Sequence, residues 1–363
     1  RRRIVLLGDL RELRASYASL DALWDDESAH IIRAAWIDRY HLEVGIDRTH
    51  EAITAESLRR PFNPVTDYLD SVKWDGTKRI GRFLTTHAQA QDTPYTRAAS
   101  RLLFLGAVGR AYAPGIKFDL TVVLEGAQGT GKSTLAGILG GEFAAEGVPA
   151  KEIGDRDVVD ALQGKWIVEL AELAAVRRSN VESLKAFLSR QTDRARLAYQ
   201  RVTKDYPRRC VFIGTTNDST YLMDSTGNRR FLPVAVGVID LGAVERDRDQ
   251  LWAEAVAVWR ANPSRHALAL PEHLRGMAAI EQERRRAIDP WEEAAAEFLA
   301  GKPDQDVFSS EMLLWEVAGK TPQMSTKVDY ARLAAVMQRL GLEKGRVYVG
   351  DGDVKRQVRG WKR

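Results

Sequence analysis

The run that most restricts this chain is "LEGAQGTGKSTL", residues 124–135, in which Gly126 to Ser133 read G-x-x-x-x-G-K-S directly after the apolar "DLTVVLE". A buried strand, a glycine loop and a helix opening at the lysine form one local unit, built to present backbone N–H groups to phosphate oxygens. Gly126, Gly129 and Gly131 permit the curl, Lys132 is placed to reach the β and γ phosphates, and Ser133 is placed to ligate Mg²⁺. The expected ATP site is therefore Gly126, Gln128, Gly129, Thr130, Gly131, Lys132, Ser133 and Thr134, with ATP and Mg²⁺ as its ligands.

The surroundings of that loop read as an α/β core over residues 118–240. "DLTVVLE", "GKWIVEL" and "RRCVFIGTTN" are short, Val/Ile-rich and nearly continuous in apolar character, as strands covered on both faces should be. Helical segments separate them, which implies a parallel sheet with right-handed crossovers. Residues 1–60 read as a helical N-terminal region, in which Asp9 and Glu12 resemble a capping box. Pro61 and Pro64 mark a boundary, residues 61–117 a helical lead-in, and 241–288 a helical connector. In 289–363, Asp289 and Pro290 open a helix. Two amphipathic helices ending at Gly319 and Gly341 follow, then a basic hairpin turning at Gly350 to Gly352, the order of a winged helix.

ATP hydrolysis needs one carboxylate for the metal and one to polarise water. "GKWIVELAEL" supplies Glu169 and Glu172. Alternation sets Glu169 on the face opposite Trp166 and Val168, with Glu172 returned beside it by a turn. Asn217, after the strand "VFIGTT", is placed to orient a water near the γ-phosphate. Arg229 and Arg230 follow a turn at Gly227. Two adjacent arginines are not easily both buried in their own subunit, so at least one is available as an arginine finger.

The formal charge of +4 is unevenly spread. Residues 177–209 hold ten Lys/Arg against Glu182, Asp193 and Asp205, and residues 327–363 hold ten against four acids. Two basic segments on an otherwise acidic chain suggest two surfaces for a polyanion. In the first, Tyr199 and Tyr206 are interleaved with Arg194, Arg196, Arg201 and Lys204, a pattern suited to single-stranded nucleic acid, and Lys185 at the head of the segment is counted with the same expected DNA contacts. Cys210 is the only cysteine, so no disulfide forms within the chain. The six histidines show no metal-ligand spacing and read as surface or capping residues. No window is apolar enough for a membrane span and the apolar run in "RRRIVLLGDLRE" is too short for a signal peptide, so the expected home is cytoplasmic.

Taken in order, the loop, "LQGKWIVELAEL", "LKAFLSRQTDRARLAY", "CVFIGTTN" and "DSTGNRRFLPV" resemble the virulence-associated protein E family of phage and mobile-element ATPases. They are more loosely similar to superfamily 3 helicases and the helicase part of viral primase-helicases. The resemblance spans about residues 62–235 and implies a ring-forming AAA+-type ATPase, a hexamer, acting on single-stranded and forked DNA. It assigns Lys132 and Ser133 to the Walker A contacts and Glu169 and Glu172 to the acidic motif. Lys185 falls in the intervening motif, Asn217 is the sensor, and Arg229 or Arg230 the finger. The two acidic residues are three apart rather than adjacent, which leaves open which is the base. Family members often carry an N-terminal primase. Residues 1–60 are too short for one and the chain opens at Arg1, so the expectation is a primase half upstream.

The expected function is an ATP-driven DNA helicase or translocase for replication of a phage, satellite or mobile element. An ATP-assembled DNA-binding initiator or regulatory ring without unwinding uses the same motifs. A small-molecule kinase shares the loop but has no use for Asn217, a trans arginine or a winged tail.

Overall fold

The structure is a computed structural model that describes residues 26–41, 43–59, 62–150, 156–176, 178–196, 203–222, 228–302, 306–349 and 356–363. The Asp9/Glu12 box, Tyr199, Arg201, the Gly227 turn and the Gly350–Gly352 turn lie outside these residues.

In chain order the helices and strands begin with α1 (Asp26–Tyr40), α2 (Ile46–Arg59), α3 (Pro64–Ser71), α4 (Phe83–Ala88) and α5 (Pro94–Tyr112). The central region follows as β1 (Thr121–Glu125), α6 (Lys132–Gly140), β2 (Ala144–Pro149), α7 (Arg156–Ala161), β3 (Ile167–Ala171) and α8 (Arg178–Leu188). It continues through β4 (Thr192–Ala195), β5 (Lys204–Pro207), β6 (Val211–Thr216), β7 (Phe231–Ala235), α9 (Leu241–Ala261) and α10 (Arg275–Arg284). The last segment is α11 (Pro290–Ala300), β8 (Val307–Ser309), α12 (Ser310–Ala318), α13 (Lys327–Arg339), β9 (Glu343–Val349) and β10 (Arg356–Lys362).

Three of these helices start by one device. Asn63, Thr93 and Asp289 each accept a backbone N–H from the first turn, and each is followed by proline, whose fixed φ suits the first helical position.

Five strands form one sheet of order β2-β3-β6-β1-β7, and every pairing in it is parallel. Alternation then sorts the side chains between two apolar layers. Val122, Leu124, Ile167, Val211, Ile213, Leu232 and Val234 face one layer, while Val123, Val168, Leu170, Phe212 and Phe231 face the other. Both faces being covered explains the nearly unbroken apolar strands.

The segments read from sequence as lead-in and connector are part of the first layer. Helices α5 and α9 pack on one another, and α9 also packs on α6. Phe104 meets Trp252 at a ring-centroid separation of 4.9 Å, and Trp252 meets Trp166 at 4.3 Å. The two indole N–H groups are satisfied inside the core, Trp166 donating to Ala107 O and Trp252 to Leu139 O. This corrects the expected facing of Trp166. It lies one residue before β3 and packs on the same layer as Ile167, so only Val168 lies opposite Glu169.

Residues 290–363 have a separate apolar cluster built on Trp291, Phe308, Leu313, Val336 and Trp361. Its three-stranded sheet is antiparallel, in the order β8-β10-β9. Asp289 caps α11 as expected, and Gly319 ends α12 in the left-handed conformation. Among the described residues no helix is long and apolar enough to cross a membrane.

Candidate nucleotide-binding site

The loop 126–131 sits at the carboxyl end of β1, the strand flanked by β6 and β7. Its neighbours pin it from both sides. Gly126 N–H donates to Thr216 O of β6, and Val236 N–H, just past β7, donates to Glu125 O. A side chain at Gly126 would come within 2.7 Å of the Val236 carbonyl, and Gly131, at φ +92°, is the left-handed residue from which α6 starts. Both positions therefore require glycine. Helix α6 begins at Lys132, so the N–H groups of its first turn open toward the loop.

Lys132 is buried, and its ammonium is turned onto oxygen acceptors. It donates to Gly126 O (2.8 Å), Ala127 O (2.7 Å) and Asn217 Oδ1 (3.1 Å). Burial lowers its pKa, against which the nearby Glu169 charge acts. Asn217, exposed at the end of β6, is thus joined to the loop across a sequence gap of 85 residues. Gln128, Gly129, Ser133 and Thr134 are exposed around the same mouth.

Glu169 is almost fully buried near the end of β3, and its carboxylate is held on both oxygens. Ser133 Oγ donates to Oε1 at 2.5 Å, Thr215 Oγ1 donates to the same oxygen at 2.7 Å, and Gly147 N–H donates to Oε2 at 2.9 Å. Strand β3 pairs with both β2 and β6, which is why Gly147 and Thr215 reach it. Glu172, the residue after β3, is exposed, with left-handed backbone at φ 54°.

The two arginines separate. Arg230 is mostly buried, donating Nε to Ser189 Oγ at 2.7 Å and lying 4.0 Å from Asp119. Arg229 beside it is exposed.

The first basic segment is also divided by the fold, and it forms a hairpin that its sequence did not announce. Strands β4 and β5 pair antiparallel, with Arg194, Arg196 and Lys204 exposed at the end remote from Pro207. Lys185 is a correction: it is buried on α8 and pairs with Glu182, because the apolar face of that helix packs into the second layer. Arg208 is likewise removed from the surface. It forms a two-pronged ion pair with Asp193 at the hairpin base, stacked 4.3 Å from the Phe187 ring centroid. Arg208→Ala would strand a buried carboxylate, and we expect a loss of roughly 3–5 kcal/mol in urea unfolding. An unchanged unfolding midpoint would refute this account of the hairpin base.

One cluster had no motif to reveal it. Glu125, buried at the end of β1, accepts from Tyr221 OH at 2.7 Å and from Arg285 Nε at 2.7 and 2.9 Å. Tyr221 and Leu222 N–H groups both donate to Arg285 O. Burial, followed by the Glu125 charge, pushes the Tyr221 hydroxyl far above its usual pKa. The cluster ties the base of the loop to the segment after Asn217 and to the end of α10. His87, read as a surface or capping residue, is instead buried, with Nε2 at 2.9 Å from Asp247 Oδ2.

The apo structure of the NrS-1 C-terminal region (residues 305–718) is similar, with a TM-score of 0.50 and 14% identity over 81% of this chain and 78% of that one. A second form of that region, the A form, matches at a TM-score of 0.49 and 13% identity, covering 81% of this chain and 77% of that one. At such identities the likeness is one of fold. No curated protein sequence matches. The profile of the virulence-associated protein E-like domain matches residues 69–287, which take in both apolar layers, the glycine loop, Glu169, Asn217 and the arginine pair, and the chain belongs to that family.

Proposed function

We propose that this protein is an ATP-driven DNA helicase or translocase of the AAA+ type, working as a homo-oligomeric ring, with six subunits the expected number. The observation that carries the reading is the convergence of Lys132 on Asn217 and of Ser133 on Glu169 at the carboxyl edge of one parallel sheet. Ligands of open α/β sheets bind at that edge. The strand order, with the loop strand between β6 and β7, also supports a P-loop core of this type.

The residues present fit ATP and Mg²⁺. Ser133 and Glu169 offer adjacent hard oxygens, and Mg²⁺ suits a site that supplies few protein ligands and leaves the rest to phosphate and water. When bound, the ion neutralises charge developing on the β and γ phosphates. Lys132, already facing oxygen acceptors, would exchange main-chain carbonyls for phosphate oxygens. The N–H groups of the loop and of α6 hold the polyphosphate in register. Asn217 orients the attacking water, Glu172 serves as the base now that Glu169 is committed to Ser133, and Arg229 of a neighbouring subunit completes the site.

The β4–β5 hairpin is the moving part in this reading. Arg194, Arg196 and Lys204 project from it as phosphate contacts for one strand, while the Arg208–Asp193 pair fixes its base to α8. The exposed C-terminal sheet and helices, in winged-helix order, add a duplex-holding module.

The test is ATP-dependent strand displacement on a forked duplex. The parent should release the strand, while Lys132→Ala and the double variant Arg229→Ala/Arg230→Ala should not. DNA binding and ATP hydrolysis without displacement by the parent would replace the helicase with an ATP-assembled ring that only binds DNA.

A further inference from the structure

The C-terminal sheet and its neighbouring helix treat their cations in opposite ways. On α13, Arg332 donates to both oxygens of Asp289, Nη2 to Oδ1 at 2.6 Å and Nε to Oδ2 at 3.0 Å, and lies 4.3 Å from the Trp291 ring centroid. Arg339 lies 3.5 Å from Glu292 and donates to Ala335 O. The helix thereby neutralises its arginines internally. What it presents to solvent is Lys327, Val328, Tyr330, Ala331 and Gln338.

The β9–β10 hairpin does the reverse. Its register sets Arg346 directly opposite Arg359 and Tyr348 directly opposite Gln357, with all four exposed. Lys344 continues the same face of β9, since side chains two apart along a strand share a face. Gln357 links the group, accepting from Arg346 Nη1 and donating to Tyr348 OH, each at 3.3 Å. Among the described residues, no ion pair engages Lys344, Arg346 or Arg359. Like charges directly opposite one another destabilise a sheet. An anion lying across the pair would remove that repulsion. Glu311, which shares a cavity of about 360 Å³ with Lys344 and Arg359, marks where the positive face ends.

We infer that this strand face, rather than α13, holds the phosphate backbone of duplex DNA. The inference rests on the DNA-directed reading above and assigns the duplex contact of the C-terminal module to one face of it. The chemistry is that of backbone contact: two guanidinium groups, an ammonium, a tyrosine hydroxyl and an amide all bond phosphate oxygens. A single strand is the poorer fit, because stacking platforms need successive aromatic side chains and, among the described residues, the one aromatic this face exposes is Tyr348.

The experiment is fluorescence anisotropy of the full chain with a labelled blunt duplex and, separately, a labelled single strand, over a series of salt concentrations. Arg346→Gln/Arg359→Gln should weaken duplex binding roughly tenfold or more at low salt and reduce the slope of log K against log salt by about 1.8, the value for two phosphate contacts. Single-strand binding and single-strand-stimulated ATP hydrolysis should be retained. Lys344→Glu alone should act in the same direction, and Lys327→Ala should leave duplex affinity unchanged. Thermal unfolding of each variant at the parental temperature shows that the loss is local. Parental duplex affinity and salt slope in both hairpin variants would overturn the assignment, as would an equal loss from Lys327→Ala. A parent that binds single strands but no duplex would remove this site and leave the helicase reading standing. A parent that binds neither would remove both.

Discussion

Arg229→Ala is expected to lower ATP turnover by roughly 10³-fold or more, the scale on which arginine fingers act, while leaving the unfolding temperature unchanged. The expectation follows from the split between the two arginines. Arg230 is spent inside its own subunit on Ser189 and lies near Asp119, so Arg230→Ala should be felt as stability and hairpin position. Arg229 is exposed beside it on a short helical turn before β7, where a neighbouring subunit can receive it. A mixing experiment separates action across a boundary from action within one chain. Arg229→Ala subunits keep an intact loop, and Lys132→Ala subunits keep an intact finger. In a randomly mixed head-to-tail ring, roughly a quarter of the interfaces unite the two intact halves. Mixing two inactive proteins should therefore restore activity. No recovery on mixing would sink the trans finger.

Lys132→Ala is the second large effect, expected to reduce kcat for ATP hydrolysis by about 10²–10³, the range for removing one preorganised charge-stabilising donor. Its present partners are two loop carbonyls, Thr130 and Asn217. None of these partners is charged, and the nearby buried Glu169 keeps its own donors Ser133, Thr215 and Gly147, so the variant should fold, and circular dichroism melts check this. ATP titration by calorimetry should show weakened binding with the apolar core untouched. Hydrolysis at the parental rate would mean that Lys132 does not meet the γ-phosphate, and the assignment of the loop would fail with it.

The comparison of Lys132 with Lys185 shows how far the chain could be read in advance. Both sit in recognisable runs of sequence, and both were assigned to an anion. Lys132 lies where a glycine loop meets a helix, a geometry set by consecutive residues, and the structure places it among oxygen acceptors in reach of Asn217. Lys185 lies on an amphipathic helix whose inward face was not identifiable from charge alone, and it is buried against Glu182. The hairpin carrying Arg194, Arg196 and Lys204 leaves no signature in the sequence for a related reason. Its strands are charged on both sides, so no alternation betrays them.

Local sequence by itself determined the glycine loop with the helix that opens at Lys132, the doubly buried strands and the capped starts at Asn63, Thr93 and Asp289. Each depends on residues within a turn or two of one another. Only the tertiary structure decided that Glu169 sits on Ser133, Thr215 and Gly147, that Arg285 and Tyr221 close on Glu125, and that Arg230 is occupied while Arg229 is exposed. Burial and ion pairing are joint properties of segments far apart in the chain, 160 residues for Glu125 and Arg285, and desolvation, which sets their energies, exists only once those segments have met.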